Sequence, residues 1–127
     1  MEELLARITS KTGLDQAAAR KAIAIILGYL KKEGPPDEVS RLLAAMPGAE
    51  DVIADAGRSG GSGGLAGMIT SMGGGVMALG GELMAAGVSM GQMQPLGQEL
   101  FAYGREKAGE DVMGAIVGSI PGLSQFV

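Results

Sequence analysis

Six methionines, Met68, Met72, Met77, Met84, Met90 and Met93, fall within one short region and are the most distinctive set of side chains in this sequence. Methionine is flexible and polarizable, so such a group either fills irregular gaps in a core or makes an adaptable recognition surface. They are therefore the candidate interaction residues. The acids Glu50, Asp51 and Asp55 could hold a hard cation through oxygen. Acids in the first turns of a short helix also complement its dipole, and that is the simpler reading. Asp37 with Glu38, and Glu110 with Asp111, are likewise helix-start acids. The run GRSGGSGGLAG, Gly57 to Gly67, invites a phosphate-loop reading, because backbone N–H groups ahead of a helix can cradle an anion. It follows no strand and lacks the lysine and hydroxyl of a nucleotide loop, so a plain linker is favoured.

The remaining chemistry is sparse. There is no histidine, so the commonest general base and the commonest metal ligand are both missing. There is no cysteine, which excludes disulfides and thiolate chemistry. No nucleophile has an obvious base beside it. Tyr29 and Tyr103 read as core rings whose hydroxyls reach a partner or solvent. Lys31, Lys32, Arg105 and Lys107 read as solvated cations near helix ends. An enzyme is not expected, and no catalytic, cofactor-binding or metal residue is assigned. The net charge of −4 argues against nucleic-acid binding, which needs a basic face to release phosphate counterions. The start, MEELLARITSKTG, lacks the pattern of a secretory leader, and the expected location is the cytoplasm.

The elements that position these groups follow a hidden duplication. Residues 12–53, beginning TGLDQAAARKAI, align without a gap on residues 86–127, beginning AGVSMGQMQPLG, at an offset of 74. Gly13 meets Gly87, each free to end a helix at positive φ. Asp15 meets Ser89, both good N-caps. Tyr29 meets Tyr103, Lys31 meets Arg105, and Asp37 meets Asp111. Met46 to Gly48 (MPG) meets Ile120 to Gly122 (IPG), where proline and glycine stop a helix.

In the first copy the spacing predicts helices over Glu2–Lys11, Gln16–Lys32, Pro36–Ala45 and Glu50–Ala54. The second buries Ala19, Ala22, Ile23, Ile26, Leu27, Tyr29 and Leu30; the third buries Val39, Leu42, Leu43 and Met46. The corresponding third helix of the second copy uses Val112, Met113, Ile116 and Val117. Pro95 lacks an N–H, so the second copy's long helix is expected to begin there, after a separate turn from Met90. No stretch alternates with period two, and the expected fold is all-α.

The glycine-rich middle is read as a packed helix. Leu65, Ile69, Met72, Val76, Leu79 and Leu83 recur at helical spacing, which a flexible linker has no reason to show. Gly67, Ser71, Gly74, Ala78, Gly81 and Ala85 form a ridge of small residues suited to close approach of another backbone. Each interior glycine costs about 1 kcal/mol relative to alanine, so this helix depends on burial of its apolar seam. A membrane span is disfavoured, because the segment opens on SGGSGG and its apolar residues are diluted by glycine and serine.

The stretch MEELLARITSKTGLDQAAARKAIAIILGYLKK resembles the N-terminal helical hairpin of the bacterial histone-like HU family. The resemblance covers the first quarter; helices, glycine and acids follow where that family has strands and a basic arm, and DNA binding is not implied. Over nearly the full chain, TGLDQAAARKAI, LLAAMPG, a glycine-rich middle and an ending near IPGL resemble the uncharacterised bacterial VcgC/VcgE-type family. That likeness implies a helical fold and a bacterial source, and brings no activity or site residues.

Two tandem helical repeats forming one compact bundle are therefore expected: residues 1–57, a Gly/Ser linker at 58–64, and residues 65–127 opening on the Gly/Met-rich helix. The expected function is a non-enzymatic protein-interaction module that uses that helix against a protein partner or its own copy. The alternatives are a small carrier of an apolar ligand held between the repeats and, less favoured, reversible attachment at a membrane surface.

Overall fold

The computed structural model describes residues 2–58, 76–120 and 123–126. Helices α1 (Glu2–Thr12), α2 (Gln16–Glu33), α3 (Pro36–Ala45) and α4 (Ala49–Arg58) form the first half. Helices α5 (Val76–Ala85), α6 (Met90–Ala108), α7 (Glu110–Ser119) and a terminal 3-10 helix (Leu123–Phe126) form the second. Among the described residues there is no strand, and the helices pack into one compact bundle. No helix is long and apolar enough to cross a membrane among the described residues.

Local chemistry explains the boundaries. Asp15 caps α2 by accepting the Ala18 N–H at 2.9 Å. Helix α5 ends on a glycine turn. The Gly87 N–H reaches the Met84 carbonyl at 3.1 Å and the Val88 N–H reaches Leu83 at 3.0 Å, a Schellman closure. That closure needs φ of +102° at Gly87, and it turns Val88 into the core. Proline at the first position of α3 meets a site whose N–H would be unpaired anyway.

Several expectations are corrected. Helix α4 is longer than Glu50–Ala54 and takes in Gly57 and Arg58. Helix α6 runs unbroken through Pro95 from Met90. The proline removes one hydrogen bond, to the Gly91 carbonyl. The turn before it is held independently, because Met93 is buried and Gln92 is tied to Thr12.

The seams fall where the 3.6-residue period places them. On α2, Ala19, Ala22, Ile23, Ile26, Leu27, Tyr29 and Leu30 are all buried; on α3 and its C-cap so are Val39, Leu42, Leu43 and Met46. On α7, Val112, Met113 and Ile116 are buried, while Val117 is half-buried against the cluster. Burying one such side chain contributes roughly 1.5–3 kcal/mol, so these seams dominate the stability. Leu79 and Leu83 bury the described part of the glycine-rich helix; Leu65, Ile69 and Met72 lie outside the described residues.

The ridge of small residues differs from expectation. Gly81 and Ala85 are exposed, and a Cβ built at Gly81 would meet nothing within 4 Å. Among the described residues, a close approach between helices lies at Gly104. A Cβ there would stand 2.8 Å from Met113 Sδ and 3.1 Å from Leu42 Cδ1, because α6 passes over both α3 and α7. Gly67, Ser71 and Gly74, and the Ala78 side chain, lie outside the described residues.

The packing is reciprocal. Helix α1 lies on α6 and α5 lies on α2, while α4 lies on α2 and the terminal 3-10 helix on α6. Helices α3 and α7 pack on each other. The starts of α2 and α6, and of α3 and α7, are each 74 residues apart.

Candidate functional site

The six methionines do not share one environment. Met93, in the second turn of α6, is buried and belongs to the core. Met84 and Met90 are the exposed large apolar side chains among the described residues, at 56 % and 75 % of their full accessibility. They flank the Gly87 turn, Met84 on the last turn of α5 and Met90 at the first position of α6. Met68, Met72 and the Met77 side chain lie outside the described residues.

The α1–α6 junction holds a polar cluster that sequence reasoning missed. Arg7 Nη1 donates to Glu106 at 2.7 Å and Arg7 Nε donates to Glu99 at 3.3 Å. Lys11 Nζ stands 4.0 Å from the other Glu99 oxygen. Two cations approach the buried Tyr103 ring, the Arg7 guanidinium carbon 5.9 Å and Lys107 Nζ 5.5 Å from its centroid. The hydrogen bond to Glu106 holds the Arg7 guanidinium above its ordinary pKa, against a slight lowering by burial. Ala6, Arg7, Ser10, Lys11 and Glu99 line an open depression of about 630 Å³. The carboxylates of Glu99 and Glu106 already engage its one guanidinium, and the arrangement joins two helices.

Gln92 is a second missed residue. Its Oε1 accepts the Ser89 N–H at 3.0 Å while its Nε2 donates to the Thr12 carbonyl at 2.9 Å. One side chain thus caps α6 and ties it to the end of α1. The pattern S-x-x-Q was visible in the sequence, but its tie to Thr12, 80 residues away, was not.

The acids sit as helix starts. Glu50 and Asp51 open α4, Asp37 and Glu38 open α3, and Glu110 and Asp111 open α7. The Asp55 side chain lies outside the described residues, as does the glycine-rich run beyond Arg58 up to Gly67. No group of three His, Cys, Asp or Glu side chains able to hold a metal is present among the described residues. Tyr29 is buried, and that burial, with the Glu33 charge second, raises its phenol pKa. No family model, curated protein or solved structure matches the chain.

Proposed function

We propose that this protein is a non-enzymatic helical interaction module, and that the surface around the α5–α6 turn meets a protein partner. The observation that carries this reading is the exposure of Met84 and Met90 on the two sides of Gly87. Both side chains are apolar, flexible and polarizable, and no other large apolar side chain among the described residues is exposed. The reciprocal packing and the common offset of 74 residues support a second part of the reading: the bundle is two related helical repeats arranged about a pseudo-twofold axis. In that reading the methionine surface has no copy on the first half, where Ser10 and Gln16 occupy the corresponding positions. The duplicated scaffold then supplies stability while one side of it supplies recognition.

Methionine oxidation footprinting tests the proposal. In purified protein, dilute peroxide should oxidise Met84 and Met90 well before Met46, Met93 and Met113, which are buried. In extract of the source cells, Met84 and Met90 should become protected together. Equal oxidation rates with and without extract would sink the proposal.

A further inference from the structure

The large apolar side chains exposed among the described residues are both of an oxidisable type. The chain has no cysteine, tryptophan or histidine, so a mild peroxide finds its reactive sulfur in methionine alone. Accessibility then sorts the methionines. Met46, Met93 and Met113 are shielded, at 1 %, 8 % and 1 % of full accessibility, whereas Met84 and Met90 stand at 56 % and 75 %. The turn between the two exposed residues is held by other atoms. Its ties are the backbone bonds from Gly87 to Met84 and from Val88 to Leu83, with the Gln92 side chain on Ser89 and Thr12. Neither exposed sulfur takes part in them.

We infer that Met84 and Met90 form a redox-controlled site, at which a hydroperoxide converts both thioethers to sulfoxides and turns the surface around Gly87 from apolar to polar. The inference rests on the interaction reading above and adds its regulation. In each step the thioether lone pair attacks one peroxide oxygen and the O–O bond breaks. The new S–OH group gives its proton to the departing hydroxide, which leaves as water. Sulfur loses two electrons and the peroxide gains them. The sulfoxide is a polar, chiral group that methionine sulfoxide reductases return to the thioether, one enzyme for each epimer. Because both side chains lie outside the core, oxidation changes the surface and leaves the bundle folded. The buried methionines react only when the structure opens, so the same dose of peroxide spares the scaffold.

The test uses the full-length protein, hydrogen peroxide and a phenyl column as the apolar probe. Peptide mass mapping during the reaction should show sulfoxide at Met84 and Met90 forming about tenfold or more faster than at Met46, Met93 and Met113. The product should keep its helical circular dichroism and melt cooperatively. On the phenyl column, in a falling ammonium sulfate gradient, it should elute earlier than untreated protein, and the two reductases together should restore the original position. Met84→Leu with Met90→Leu keeps the surface apolar and removes its sulfur. That double variant should bind the column like untreated wild type and hold its position through the same peroxide treatment. Met84→Gln with Met90→Gln should elute early without peroxide. Sulfoxide spread evenly over all five mapped methionines overturns the inference, as does loss of the cooperative melt on oxidation. A peroxide shift of equal size in the leucine variant overturns it too, because other residues then carry the change. If cell extract fails to protect Met84 and Met90 while these column shifts hold, the interaction reading fails and the oxidation site stands.

Discussion

The guanidinium carbon of Arg7 stands 5.9 Å from the centroid of the Tyr103 ring, across the junction of α1 and α6. The same side chain bonds Glu106 and Glu99, so one arginine supplies charge pairing, ring stacking and packing at once. Exposed ion pairs contribute about 0–1 kcal/mol, and a partly exposed cation–π contact about 0.5–1. Arg7→Ala should therefore destabilise by about 1–2 kcal/mol, with a smaller loss in 1 M salt. Arg7→Lys should recover only part of it, because an ammonium cannot fork between two carboxylates while covering a ring. Urea midpoints at low and high salt would check this, and full rescue by lysine would contradict it.

The two long helices should respond differently at their caps. Asp15→Ala removes an observed cap bond and should cost about 0.5–2 kcal/mol. Ser89 shares its cap with Gln92 in a capping box, so Ser89→Ala should cost less than Gln92→Ala. Gln92→Ala breaks two hydrogen bonds and should cost about 1–2 kcal/mol. Thermal melts in which Ser89→Ala exceeded Gln92→Ala would reverse the assignment.

Two glycines should give effects of opposite sign. Gly81 is helical with open space around it, so Gly81→Ala should stabilise by about 0.5–1 kcal/mol. Gly104→Val forces branched atoms against Met113 and Leu42 and should destabilise by about 1–3 kcal/mol. Denaturant midpoints moving in the same direction for both would contradict this.

Burial raises the Tyr29 phenol above its ordinary pKa of 10.0, with the Glu33 charge adding to the effect. A raised pKa means that the native state holds a proton which the unfolded chain gives up more readily. The resulting contribution is fully present below about pH 10 and is lost as pH rises through the folded value. Tyr29→Phe should therefore narrow the loss of stability between about pH 9 and 11. Parallel unfolding curves for wild type and variant across that window would refute it.

Much of the fold was legible because helical burial is periodic. Ile23, Ile26 and Leu30, or Leu42 and Met46, mark a face that any single helix displays in its own sequence. Caps are similarly local, as Asp15 shows. What escaped was set by helices meeting. Gly104 looks like any interior glycine until α6 crosses α3 and α7, and nothing near Arg7 in the chain announces Glu99, 92 residues on. Pro95 misled because its usual penalty was read without the separate supports at Met93 and Gln92. The six methionines looked like one set because they are neighbours in sequence, whereas Met93 and Met90 point to opposite environments.

The ionic tie of Arg7 with Glu99 and Glu106 joins α1 to α6. At the offset of 74 residues, Arg7 and Lys11 correspond to Gly81 and Ala85, while Glu99 and Glu106 correspond to Ile25 and Lys32. Helix α5 carries Gly80 and Gly81 in its own interior. The two outer helices consequently sit at different heights on the ladder of local opening. Amide hydrogens of α5 should exchange with deuterium ahead of those of α1, and limited proteolysis should enter through α5 first. The bundle then unravels from one side, with the Arg7 flank as the last to yield.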